Sequence, residues 1–305
     1  MTRSNGADGD TRGQTQGTAM EQRLIGVFDS GVGGLTVAHS ILRVLPGYTM
    51  VYVADQAHVP YGGRPLADVR GFALGISRFL AARGCGAIVM ACNISSAVAL
   101  EGARTALAPT PVLGVIDAAV ARVAQHGGEA VGILATEGTV RSDVYRSRIA
   151  AALPGAEVVQ VACPRFVPLV EAGDFEGEEA EDAARAYLEP LAARRCRVVV
   201  LGCTHYPFLL GVLRRVAADL FVEEPIFVDP AEELTEELGR LFDGAASPAA
   251  RHHTMLTTGD PAAFRRQLDR FLPGVPVEIG RLEWRRGELT GGALQTPSPA
   301  ARIKR

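Results

Sequence analysis

The sequence predicts an α/β protein of two duplicated, doubly wound domains with parallel sheets, and a functional site in the cleft between them. Three observations lead there. Short, continuous, β-branched apolar runs alternate with amphipathic stretches along the chain. A segment near residue 80 recurs near residue 191. Each copy of that segment ends in a cysteine at the close of an apolar run. Continuous apolar strands separated by helices are the pattern of parallel sheets covered on both faces.

The elements follow in order. Residues 1–20 (MTRSNGADGDTRGQTQGTAM) are polar and glycine-rich and read as a disordered tail. They lack the apolar stretch of a secretory signal, so the expected location is cytoplasmic. Leu24–Phe28, Met50–Ala54, Ala87–Ala91 and Val112–Ile116 read as strands, with Leu66–Arg83 as an amphipathic helix among them. Val131–Ala135, Glu157–Ala162, Val198–Gly202 and Ile226–Val228 form a second series, with Glu178–Arg195 as its helix. The segment after Glu288 is rich in Pro, Gly and Arg, and residues 289–305 read as a second disordered tail.

The duplication is visible in the letters. LAARGCGAIVMAC (Leu80–Cys92) and LAARRCRVVVLGC (Leu191–Cys203) agree at seven of thirteen positions. IGVFDSG from Ile25 and VGILATEG from Val131 agree at a similar spacing. Open parallel sheets bind ligands beyond the carboxyl ends of their strands. Two such halves facing each other place Cys92 and Cys203 on opposite walls of one pocket.

Composition narrows the chemistry. With 305 residues, 48% of them hydrophobic, the chain has the material for a sizeable core. A net charge of −3 argues against nucleic acid as a partner, and no apolar run reaches membrane-spanning length. The one lysine is Lys304, so neither a Schiff-base lysine for pyridoxal phosphate nor a P-loop is available. No cofactor is expected. Five cysteines without dense spacing are not a disulfide framework. No CxxC or HxxxH spacing offers a metal site, and the adjacent His252 and His253 read as surface residues. Cys85 and Cys196 precede their strands, and they and Cys163 read as structural.

Cys92 and Cys203 differ from these three. Each is followed by a largely polar stretch (Asn93, Ile94, Ser95, Ser96; Thr204, His205) at a strand-to-helix turn. A helix N-terminus stabilises a thiolate and offers N–H groups to a carboxylate. A Cys203–His205 nucleophilic pair is one reading, but it leaves Cys92 without a part. Two thiols on opposite faces of one substrate explain both: one removes a proton from carbon and the other delivers one. Asp29 and Ser30 follow the first strand, where Asp29 either caps a helix or holds an ammonium group. Tyr61 and Gly62 lie in a loop after the second strand, with Tyr61 a candidate hydrogen-bond donor. Thr136, Thr139 and Ser142 follow the first strand of the second half, where ordinary capping is the competing reading.

The stretches FDSGVGGLTV (Phe28–Val37), VPYG (Val59–Gly62), ACNISSA (Ala91–Ala97), ATEGTVRSDVY (Ala135–Tyr145) and LGCTHYPFL (Leu201–Leu209) resemble glutamate racemases of the cofactor-independent aspartate/glutamate racemase superfamily. The resemblance implies interconversion of L- and D-glutamate and supply of D-glutamate for peptidoglycan. It implies Cys92 and Cys203 as the two bases, with Asp29 and His205 assisting. It gives Ser30, Tyr61, Gly62, Asn93, Ile94 (through its N–H), Thr136, Thr139 and Thr204 to substrate binding. A homodimer is common among such proteins. The resemblance also implies a C-terminal segment returning to complete the first domain, so that 22–116 plus about 225–285 form one unit and 117–224 the other. Pro225–Val228 fits that return and echoes Pro111–Ile116. Two departures stand out: Ile94 where the family has Thr, and Gln56 after Asp55. Aspartate racemisation and non-catalytic amino-acid binding are the alternatives.

Overall fold

The computed structural model describes residues 24–242 and 252–294. The N-terminal tail and residues 295–305 lie outside the described residues. Among the described residues the first sheet has seven strands in the order β11-β10-β9-β2-β1-β3-β4, and the second has four in the order β6-β5-β7-β8. They are β1 (Leu24–Asp29), β2 (Thr49–Ala54), β3 (Ala87–Met90), β4 (Val112–Gly114), β5 (Ala130–Ala135), β6 (Glu157–Ala162), β7 (Val198–Gly202), β8 (Ile226–Val228), β9 (His253–Thr257), β10 (Val277–Arg285) and β11 (Glu288–Leu294). Every pairing is parallel except β10 with β11. The expected α/β class with parallel sheets is the one observed.

The duplication reappears as topology. The block β2-β1-β3-β4 and the whole second sheet β6-β5-β7-β8 have the same strand order. Strands buried on both faces explain why these runs are apolar throughout: β3 and β7 are buried at every position. In the first sheet, Val27, Val89 and Met255 face a core shared with helices Leu35–Val44, Pro230–Leu241 and Pro261–Phe271. Phe28, Ile88 and Met90 face the opposite core under helices Leu66–Ala82 and Asn93–Leu107. Helix Val115–His126 joins the units and serves both. Val115 and Ala118 enter the first core, and Ile116, Ala119 and Val123 enter the second. The boundary expected between 116 and 117 therefore falls inside a shared helix.

Four readings need correction. Pro225–Val228 does not return to the first unit: β8 pairs with β7, Val198 opposite Ile226 and Val200 opposite Val228. It covers the backbone edge β7 would otherwise expose, as β4 covers β3. The return begins with helix Pro230–Leu241, whose Leu234 and Leu238 reach the first core. Residues 289–294, expected to be disordered, form β11. Leu282, Trp284 and Leu289 anchor this hairpin on the first sheet, the chain turns at Arg286–Gly287, and Gly291 and Gly292, at φ of 100° and 86°, carry β11 past the register shift between Gly280 and Leu282. His253 is buried in β9, where its Nδ1 accepts the Met50 N–H at 3.2 Å. Val115 and Ile116 belong to a helix rather than a strand.

Candidate active site

The carboxyl ends of both sheets open onto one cavity of about 380 Å³. Its wall includes the twelve residues that the resemblance assigned to the site: Asp29, Ser30, Tyr61, Gly62, Cys92, Asn93, Ile94, Thr136, Thr139, Cys203, Thr204 and His205; Ser142 is off the wall, its hydroxyl donating to the Thr139 carbonyl at 2.6 Å. Cys92 follows β3 and caps helix Asn93–Leu107. Cys203 follows β7. Equivalent strands of the repeated block thus deliver the two thiols, which are 5% and 7% exposed.

Their surroundings differ. Burial pushes the Cys92 thiol up to about 12; the Asp29 carboxylate adds to this, while the Ser95 hydroxyl and N–H oppose it. Cys203 Sγ lies 3.8 Å from His205 Nδ1. Burial disfavours a charged His205, but the Cys203 thiol, Glu171 and Asp29 outweigh it and raise the imidazole. Glu171 Oε1 stands 3.6 Å from His205 Nε2. One thiol is thus held as a neutral acid, and the other has a cationic neighbour.

Hydrogen bonds knit the cleft. Asp29, almost fully buried, accepts the Gly31 N–H at 2.9 Å and the Thr204 hydroxyl at 3.4 Å. Tyr145 donates to Asn93 Oδ1 at 2.6 Å, which turns the Asn93 amide N–H groups toward other acceptors. Tyr61 donates to Asp55 at 2.6 Å. Its proton is committed there, so toward a ligand Tyr61 is an acceptor and not the donor expected. Thr136 caps helix Glu137–Ser142 through the Thr139 N–H, and the two hydroxyls share a 3.0 Å bond. The capping reading holds, and both residues line the cavity as well. Gly33 lets the first unit close on the second, since a β-carbon there would strike His205 and Thr204.

A family model of Asp/Glu/Hydantoin racemase matches residues 25–238. The chain belongs to that racemase family. A glutamate racemase from Parafrankia sp. is 44% identical over 256 residues, covering 81% of this chain and 90% of that protein. The solved glutamate racemase from Thermus thermophilus, in complex with beta-chloro-D-alanine, is 40% identical with a TM-score of 0.75, covering 86% of this chain and 98% of that one. That from Francisella tularensis, in complex with D-glutamate, is 30% identical with a TM-score of 0.76, covering 85% and 97%.

Sequence reasoning missed two residues on the wall of this racemase-family site and one behind it. Glu171 comes from a helix far from the motifs and reaches His205 only in three dimensions. Cys163, read as structural, lines the cavity, although its Sγ is turned toward the Val161 carbonyl at 3.4 Å. Asp55, fully buried, gathers Tyr61, His58, Thr258 and Trp284 around one carboxylate. Only Asp55 carried a local signal, its place before the VPYG loop.

Proposed function

We propose that this chain interconverts L- and D-glutamate by a two-base mechanism. The observation that carries the proposal is the pair of buried thiols at equivalent strand ends of a duplicated fold, opening on one cavity. The kinship with glutamate racemases supports the choice of substrate. A glutamate α-carbon between the sulfurs loses its proton to one thiolate and gains one from the other thiol. No net proton is consumed, and the two sulfurs exchange protonation states. Cys92 starts as the acid. Cys203 starts as the base, with His205 as its charged neighbour and Glu171 orienting the imidazole.

The remaining residues have electrostatic work. A free amino acid's α-hydrogen is far less acidic than a thiol, so donors must meet the charge that develops on the carboxylate. The Asn93 amide, the backbone N–H groups at Asn93 and Ile94 and the Thr136–Thr139 turn supply them, while the Thr204 hydroxyl stays on Asp29. Asp29 and the Tyr61 oxygen face the ammonium, with Ser30 beside them. Ile94 keeps the helix N–H donors while adding apolar bulk. A cytoplasmic location, supply of D-glutamate for peptidoglycan and a homodimer belong to the same proposal. Among the described residues no helix is long and apolar enough to cross a membrane.

Proton NMR in D2O tests the reading, with L-glutamate and L-aspartate offered separately and no cofactor added. Loss of the glutamate α-proton together with formation of D-glutamate is expected. Cys92→Ser and Cys203→Ser should each slow this at least about 100-fold, the usual scale of a lost acid–base group. Exchange of aspartate alone would move the substrate. Near-normal racemisation by either serine variant would sink the two-base assignment.

A further inference from the structure

Ser95 has no part in the cavity wall, yet it is fully buried and, among the described residues, its Oγ has no nitrogen or oxygen partner. A buried hydroxyl without a partner is a cost that proteins seldom carry without use. Its place explains the use. Cys92 is the N-cap of helix Asn93–Leu107, which makes Ser95 the third residue of the helix. An N-cap side chain that accepts hydrogen bonds takes them from the second or third residue. The cap here is a thiol, and it makes no such bond in its present form.

The neighbouring positions offer no substitute. Ile94 carries no hydroxyl and points its Cδ1 toward Gly138 of the second unit. Ser96 Oγ is likewise without a partner among the described residues, but it lies by Gly114 and lines a separate pocket, away from the N-cap thiol. We propose that Ser95 is a positioning residue for Cys92: its buried hydroxyl, with its own N–H, is the donor pair that holds the Cys92 thiolate. When Cys92 gives its proton to carbon, the S–H bond breaks and a C–H bond forms. The electron pair stays on sulfur, and the Ser95 O–H turns to it without transferring its own proton. The electrostatics agree, because Ser95 is the neighbour whose hydroxyl and N–H both favour the charged form of Cys92.

The catalytic part of this inference rests on Cys92 being one of the two bases, so the test reads the thiol itself as well as turnover. Below a thiol's pKa, its alkylation rate follows the thiolate fraction. The full chain is treated with iodoacetamide at pH 7 and pH 8, and Cys92 and Cys203 are followed separately by peptide mass spectrometry. Ser95→Ala should slow Cys92 about tenfold, the size of one hydrogen bond to a charged group, and leave Cys203 unchanged. Ser95→Thr should restore the rate. Racemisation by Ser95→Ala should show a lower kcat with KM little changed, because Ser95 does not touch the substrate cavity. An unchanged Cys92 rate, an equal slowing of both thiols, or failure of Thr to rescue would each overturn the proposal. If Cys92→Ser racemises normally while Ser95→Ala still slows Cys92 alone, the positioning stands and the two-base reading fails.

Discussion

At the scale of single residues, the cleft sets two cysteines of similar exposure in unlike electrostatic surroundings. Beside Cys92 stand a carboxylate, a hydroxyl and a helix N-terminus; beside Cys203 stands an imidazole backed by Glu171. The second arrangement has a consequence for stability. His205 holds its proton more tightly folded than unfolded, so its contribution is full below the unfolded histidine value of about 6.5. That contribution is lost as the pH rises through the raised folded value. Denaturant unfolding of the wild type between pH 6 and pH 10 should show this decline, and His205→Asn should flatten it. A variant curve parallel to the wild type would refute the assignment. The two thiols themselves were legible in sequence because each closes an apolar run and opens a polar turn. Glu171 was not. It lies on helix Phe166–Ala172, and only packing of that helix beside the turn after β7 brings it to His205.

Among the elements, legibility follows burial. Strands β1 to β5 and β7 announce themselves because they are buried almost throughout, so nearly every side chain in a run such as Val198–Gly202 is apolar. The hairpin β10–β11 has one face toward water. Val277–Arg285 mixes charged residues with its apolar ones, and Glu288–Leu294 holds the glycine pair, so the second strand reads as a tail until Leu289 is seen in the core. The partner sheet of β8 could not be read locally either, since an apolar run fits an edge of either sheet. The hairpin does more than widen the sheet. Trp284 of β10 donates to Asp55 at 2.8 Å, and Asp55 fixes Tyr61. Trp284→Phe keeps the ring against Phe72 but leaves the buried carboxylate one donor short. It should cost about 2 kcal/mol in urea unfolding, the scale of a hydrogen bond to a charged group. It should also raise KM for glutamate through the loosened Tyr61. Unaltered unfolding and KM would show that the contact carries no weight.

For the whole molecule, the approach of the two units decides whether the cleft is a site. Tyr145, Arg141 and Thr204 of the second unit bond to Asn93, Gly62 and Asp29 of the first. Gly138 lies where the units touch, and a β-carbon there would meet the Gly62 carbonyl and Ile94 Cδ1. Gly138→Ala should hold the units apart and raise KM about tenfold, since overpacking costs about 1–3 kcal/mol. Ile94→Val, which removes Cδ1, should recover part of the loss in the double variant. Additive effects in steady-state kinetics would separate Gly138 from Ile94.

The repeated strand order carries a consequence in terms of handedness. The repeat relates the two halves by rotation, whereas the enantiomers of a substrate are related by reflection, an operation no protein built of L-residues contains. Under the proposed reaction the two thiols therefore cannot be equivalent catalysts, however alike their strands. Water is achiral, so the equilibrium constant between enantiomers is one and kcat/KM must be equal in both directions. The unlike neighbours of Cys92 and Cys203 are then free to shape how each enantiomer divides that common value between binding and turnover.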